Sequence, residues 1–332
     1  MDSYCGGRGE KWLMDFSYTV VGGNVRIDKV EEPQREVVVP ETVGGYLVTE
    51  LGEYVLAGSG VEEVWLPGGL RKIGAYGFYN CENLRRIHCS SRTTDLGTGL
   101  FAGAGGVGFV DICVFDGEKS CLKELLSELR QTLRVRLRLC GQGEEESRGR
   151  GVFLEARLIF PEYYEESVEN TPARILYIET HGCGHRYRYC FAGTQFQYQK
   201  YDELFPHAKV QEPEELVAEM ALGRLQYPLG LAEKYRGMYQ GYVAGHWRMA
   251  ARLMMEAGRQ GAAGSILEPG GVPWLVEEIL GFGQEAGGDG ELGEKLQELI
   301  RMAQEAGDTE TVAWLMDFRH RRVLPGKRRF EL

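Results

Sequence analysis

Between residues 51 and 112 the chain repeats itself at intervals of 22 and then 23 residues, and a period this short restricts the fold more than any other feature. Aligned on a hydrophobic-Gly pair (Leu51-Gly52, Ile73-Gly74, Leu96-Gly97), the segments place Leu56, Phe78 and Phe101 in one column and Val61, Leu84 and Val107 in the next. Val64, Ile87 and Val110 follow three residues later, and Leu66, Cys89 and Ile112 two after that. The last two columns alternate as side chains of a strand do, so Ile87 and Cys89 are expected to face a core while Arg86 and His88 face outward. One such unit cannot cover its own apolar edge, whereas neighbours stacked in register shield one another, which predicts a right-handed solenoid. The glycine column reads as the tight corner of each return path.

An array of this kind needs a cap. Phe16, Tyr18 and Val20 alternate, Gly22-Gly23-Asn24 turns the chain, and Val25 and Ile27 alternate back, which predicts a β-hairpin ahead of the first coil. Between hairpin and array, "VVVP" at 37–40 echoes "VWLP" at 64–67 and reads as a partial earlier coil.

The stretch "LPGGLRKIGAYGFYNCENLRRI" (66–87) resembles the units of the BspA-like leucine-rich repeat family: a proline, a hydrophobic-Gly pair, an Ala/Gly-Phe pair and an N-C-x-N-L run. "FPEYYEESVENTPARI" (160–175), "HGCGHRYRYCF" (181–191), "YDELF" (201–205) and "AGDTETVAWLMDFRHRR" (306–322) are similar to the downstream part of a gut-bacterial subgroup of that family. The resemblance implies binding rather than catalysis. The third unit departs from the pattern, since "LFAGAGGVGF" (100–109) puts glycines where the Cys-Asn corner stands, and this predicts a looser or terminal coil.

Beyond the array, Leu122, Leu125, Leu126, Leu129 and Leu133 keep helical spacing. The period then changes to two: Val135, Leu137 and Leu139 alternate with Arg134, Arg136 and Arg138, and "VFLEARLIF" (152–160) returns as the second strand of a hairpin. "ARILYIE" (173–179) and "RYRYCF" (186–191) are expected as third and fourth strands. From 213 onward the pattern is helical. Pro213 suits a first helical position, Glu214 and Glu215 suit its positive end, and Leu216, Val217, Met220, Ala221 and Leu225 form one face before Pro228. Near the C-terminus two helices meet at Gly307-Asp308, with Asp308 as a cap, resembling the helix-turn-helix half of an ankyrin unit. The expected fold class is α+β, in three domains: a short leucine-rich repeat solenoid with its hairpin cap (1–112), a small α+β middle domain (113–207) and an all-helical, ankyrin-like C-terminal domain (208–332).

Function is narrowed by charge and by missing motifs. Across 332 residues, 49 Asp and Glu oppose 38 Lys and Arg for a net charge of -11, so the molecule as a whole repels polyanions, and no nucleic-acid partner is expected. The arginines at 134, 136 and 138 could track phosphates, but they read more simply as a solvated face paired across strands to Glu155 and its neighbours. No run of 18 apolar residues is present, and no export signal opens the sequence. The eight scattered cysteines accordingly read as reduced, cytoplasmic thiols, with the cell surface as the alternative if a leader has been removed.

The best reactive candidate is "HGCGHRYRYC", where His181, Cys183, His185 and Cys190 could converge on zinc or supply a Cys/His nucleophile. Their spacing matches no common zinc pattern, and a glycine-containing hairpin with polar tips is the plainer expectation. "GAGGVG" (103–108) lacks the Lys-Ser/Thr of a phosphate loop. The leading expectation is therefore a non-enzymatic protein-binding module without a cofactor, using Glu63, Trp65, Arg86, His88, Phe109 and Asp111 on an open strand face. A metal- or thiol-dependent enzyme centred on His181-Cys183-His185 is the alternative.

Overall fold

The computed structural model describes residues 15–115, 120–140, 155–170, 175–260, 265–268, 270–280 and 289–323. Strands β1 (Phe16–Val21) and β2 (Asn24–Val30) form the expected antiparallel hairpin, turning where Gly22 and Gly23 take φ of 60° and 82°. The chain then winds as a solenoid with two parallel sheets. One consists of β3 (Glu36–Val38), β6 (Glu63–Trp65), β8 (Arg86–Ser90) and β10 (Phe109–Phe115), paired in that order. The other joins β2 to β5 (Tyr46–Leu51), β7 (Lys72–Ile73) and β9 (Asp95–Leu96), while β4 (Thr42–Val43) pairs antiparallel with β5. The partial coil at 37–40 is thus a real one, with β3 as its strand.

Every residue of the four aliphatic and aromatic columns is buried, and Phe78 stacks on Phe101 at 5.5 Å. Removing one such side chain from water contributes about 2 kcal/mol, so the register of the columns fixes the register of the coils. The glycine column plays a different part from the corner predicted for it. Gly52, Gly74 and Gly97 are absent from the positive-φ residues; instead the preceding coil presses on them, and a Cβ at Gly74 would lie 2.5 Å from the Glu53 backbone nitrogen. The left-handed corner comes two residues later, in the column Tyr54, Tyr76, Gly99 (φ 56°, 57° and 63°), and a second one follows at Gly58, Asn80 and Gly103 (69°, 55° and 80°). Each non-glycine residue there costs about 1 kcal/mol in backbone strain.

The third coil is neither loose nor terminal. Its glycines make room for polar side chains of the coil before it: Asn80 lies against Gly103, and the Arg85 guanidinium against Gly106. Helix α1 (Leu122–Glu128) then carries the chain to β11 (Leu133–Cys140), which pairs parallel to β10 with Asp111 opposite Arg136. The sheet therefore runs on past residue 112. Strand β12 (Glu155–Phe160) returns antiparallel to β11, as the predicted hairpin requires.

The next strands do not join that sheet. β13 (Tyr164–Asn170) and β14 (Ile175–His181) form a separate antiparallel ribbon, and "RYRYCF", expected as a strand, is instead the short helix α2 (Gly184–Tyr187) leading into β15 (Phe191–Ala192) and its partner β16 (Gln195–Phe196). Burial explains the change: on a strand Tyr187 and Tyr189 would share a side, whereas Tyr187 is fully buried and Tyr189 is 68% exposed. The helical turn also brings the buried Arg188 guanidinium to the carbonyls of Leu129, Gln131, Pro161 and Gly184, which satisfies its donors. Helices α3 (Tyr198–Glu203) and α4 (Phe205–Gln211) follow, and the Tyr201 hydroxyl anchors α3 by hydrogen bonding the Ile159 backbone nitrogen and oxygen at 2.9 and 2.7 Å.

The chain divides into two compact units, Met1–Glu212 with Tyr227–Leu231, and Pro213–Gln226 with Ala232–Leu332. The second unit is helical, as expected. Its α5 (Glu214–Gln226) is buried on all sides from Val217 to Leu225 rather than along one face, because α6 (Glu233–Gly245) and α7 (Trp247–Gln260) both pack on it. A short α8 (Val272–Trp274) runs into a π-helical turn, Leu275–Ile279. The last pair is α9 (Asp289–Ala306) and α10 (Thr309–Val323); between them Gly307 has φ 70° and Asp308 caps α10 by accepting from the Thr311 backbone nitrogen at 3.0 Å.

Candidate interaction surface

Parallel pairing brings the six residues singled out in the array onto one side of the sheet in two rows. Glu63, Arg86 and Phe109 lie opposite one another on successive strands, as do Trp65, His88 and Asp111. β11 extends the rows with Arg134 beside Phe109 and Arg136 beside Asp111. Within the rows the side chains interlock. Trp65 and His88 stack with centroids 3.4 Å apart and planes 1° from parallel. His88 Nε2 is 2.7 Å from Glu63 Oε1, its Nδ1 is 3.3 Å from Asp111 Oδ2, and Arg86 Nη1 reaches Glu63 Oε2 at 3.3 Å. Asp111 also accepts from Arg136 and, in a fork of two 3.0 Å bonds, from Arg138 Nε and Nη2.

The face is less open than its sequence suggests. Glu63, Trp65 and Arg86 remain partly accessible, but His88, Phe109 and Asp111 are buried. β11 is the cause: it adds a strand beside β10 and places Arg136 and Arg138 against the Asp111 carboxylate, while Trp65 stacks on His88. Burial pushes the Asp111 carboxyl up, but hydrogen bonds from His88 and Arg136 and the charges of both arginines outweigh it and hold the group well below the ordinary carboxylate range. Arg136 and Arg138 of the arginine stripe are bonded to Asp111, and Glu155, opposite Arg138 in the register of β11 with β12, is held by Arg157 at 2.6 Å. Arg136 and Arg138 are the site residues the sequence reading missed. The signal lay in "LRVRLRL", whose Val135 and Leu137 continue the strand columns of Val110 and Ile112 one coil further.

Cys113 and Cys140 form a disulfide between β10 and β11, with Cα atoms 6.0 Å apart. The expectation that all the thiols are reduced is thereby corrected. Cys81, Cys89, Cys121, Cys183 and Cys190 are buried and in no disulfide, and Cys5 lies outside the described residues.

The residues of 181–190 do not converge. His181, ending β14, stacks on Tyr164 at 4.6 Å, and His185 packs against Tyr163 and Tyr189. The Cys183 thiol donates to Glu212 Oε1 at 3.0 Å. Burial, together with that carboxylate, pushes the Cys183 thiol far up, and burial pushes Cys190 up to about 12, the reverse of what a nucleophilic thiolate needs. Among the described residues no three His, Cys, Asp or Glu side chains are placed to hold a metal ion, and no helix is long and apolar enough to cross a membrane.

Successive coils in parallel register, each contributing the same buried columns, define a leucine-rich repeat solenoid. Residues 39–113 match the BspA type Leucine rich repeat region in six copies, and the array belongs to that family. Among solved structures, the chain is similar to a leucine-rich cell surface protein of Faecalibacterium prausnitzii A2-165 (17% identity over 32% of this chain and 34% of that one, TM-score 0.26). A leucine-rich repeat protein of Bacteroides ovatus ATCC 8483 matches at 16% identity over 31% and 48% (TM-score 0.20), and one of T. pallidum at 18% over 38% and 80% (TM-score 0.22). The chain thus spans about a third of the first relative and about half of the second. No curated protein matches it in sequence.

Proposed function

We propose that the protein is a non-enzymatic binding module that takes a protein partner on the strand face of its repeat array, with Glu63, Trp65 and Arg86 as the contact residues. The observation that carries this reading is the Trp65-His88 stack, held through Glu63, Asp111 and the two arginines. An aromatic ring and a guanidinium fixed before binding lose little conformational entropy when a partner arrives, and Trp and Arg are the side chains that dominate interface energies. His88, Phe109 and Asp111 act in this proposal as the support beneath the contact residues. Membership of a repeat family whose surfaces generally bind proteins supports the same direction.

The test is affinity capture by the immobilised full chain, read by quantitative mass spectrometry, with a Trp65→Ala/Arg86→Ala variant alongside. Partners retained by the parent chain should be lost from the variant while its thermal midpoint falls by no more than a few degrees. Equal capture by both proteins would remove the strand face from consideration.

A further inference from the structure

Two thiols meet beneath the strand sheet. Cys89 shares a core column with Leu66 and Ile112, and Cys121 stands immediately before α1, the helix on which the chain leaves β10; their sulfurs lie 3.9 Å apart although 32 positions separate them in sequence. Cys89 and Cys121 are 2% and 1% exposed, and the Cys121 sulfur also lies 3.5 Å from the Ser90 carbonyl oxygen. A small apolar side chain would fill either place, as Leu66 and Ile112 do in the same column, so packing by itself gives no reason for sulfur to face sulfur.

The neighbouring cysteine pair shows what such an approach becomes. Cys113 is level with Ser90, the residue after Cys89, and is bonded to Cys140 of β11. It follows Ile112 of the core column, so its side chain leaves β10 on the opposite side of the sheet from Cys89. One pair thus ties β10 to β11 on the outer side, and the other faces it from the inner side, between β8 and the start of α1. To bond, the inner sulfurs must close from 3.9 Å to about 2 Å, roughly 1 Å apiece, which is within reach of side-chain rotation.

We propose that Cys89 and Cys121 are a redox modification site, at which an intramolecular disulfide fastens α1 to β8. The step is exchange with a low-molecular-weight disulfide. The thiolate of one cysteine attacks a sulfur of that oxidant, breaking its S–S bond and releasing one thiolate; the thiolate of the other then attacks the cysteine sulfur of the mixed disulfide and releases the second. The two cysteines give up two electrons and two protons, and the oxidant leaves as two thiols. Contact with Cys121 and burial push the Cys89 thiol well above its ordinary range, so exchange takes place while α1 is lifted from β8 rather than in the closed array. The bond holds the entry to β11, whose Arg136 and Arg138 bind Asp111, and it is independent of whether a partner occupies the strand face.

The test refolds the full chain from urea in oxidised glutathione, blocks remaining thiols with N-ethylmaleimide and digests with trypsin without reduction. Peptide 87–92 should be recovered joined to peptide 120–123, and the thiol count of the denatured chain should fall by two relative to untreated protein. Amide exchange of α1 in the oxidised chain should be about ten-fold slower than in the untreated one. Recovery of both peptides as maleimide adducts, retention of glutathione on either, or joining of 87–92 as often to another cysteine as to Cys121 would overturn the site; a joined pair with unchanged exchange of α1 would overturn its role in fastening the helix.

Discussion

Replacing Asp111 by alanine tests the account of the strand face most directly. Its carboxylate is fully buried and accepts from His88, Arg136 and both donors of the Arg138 fork. Deleting it leaves two guanidinia and an imidazole facing one another without their common acceptor. Removing one partner of a buried ion pair costs about 3–5 kcal/mol; because the Arg136 and Arg138 side chains keep 29% and 27% exposure and can recruit water, the lower end, about 3 kcal/mol, applies here. Since the chain contains two compact units, a global unfolding midpoint would mix them, and amide exchange of β8, β10 and β11 is the cleaner assay. A loss of about 3 kcal/mol corresponds to roughly a hundredfold faster exchange of those strands. Arg136→Ala should cost less, because the Arg138 fork remains. The effect also has a pH signature. Asp111 has its folded pKa depressed below the ordinary value of about 3.9, so its contribution is fully present above that value and is lost as pH falls toward the folded one. Less than about five-fold acceleration in Asp111→Ala would show that the carboxylate is not the keystone of the rows, and the preorganisation argued for Trp65 would lose its basis.

The Cys113-Cys140 disulfide predicts that the denatured, unreduced chain titrates two thiols fewer than its eight cysteines; a full eight would refute the bond. Gly97→Ala should destabilise the first unit by about 1–3 kcal/mol, since its Cβ would strike the Ala75 backbone, while Gly105→Ala, with open space around it, should be neutral by the same exchange measurement; equal effects would refute the close approach of the coils.

The solenoid was legible in the sequence because its determinants are local and recur. A buried column must be apolar in every coil, so Val64, Ile87 and Val110 announce themselves at successive intervals of 23 residues. The hairpin cap and the Asp308 cap were readable for the same reason, each resting on a few neighbouring residues. The separate β13–β14 ribbon was not, because whether a polar, alternating segment joins a sheet depends on which edge is free when it arrives.

What the sequence determined by itself was the coil, its register and which residues share the strand face, since periodicity and hydrophobicity suffice for these. Tertiary structure alone decided which of those residues meet solvent. Arg136 and Arg138 stand 25 and 27 positions from Asp111, and only the parallel seating of β11 beside β10 turns an apparently solvated arginine stripe into the counter-charge of a buried carboxylate. The same holds for Tyr54, whose left-handed backbone and stacking partner follow from its place in the coil and leave no trace in its immediate neighbours.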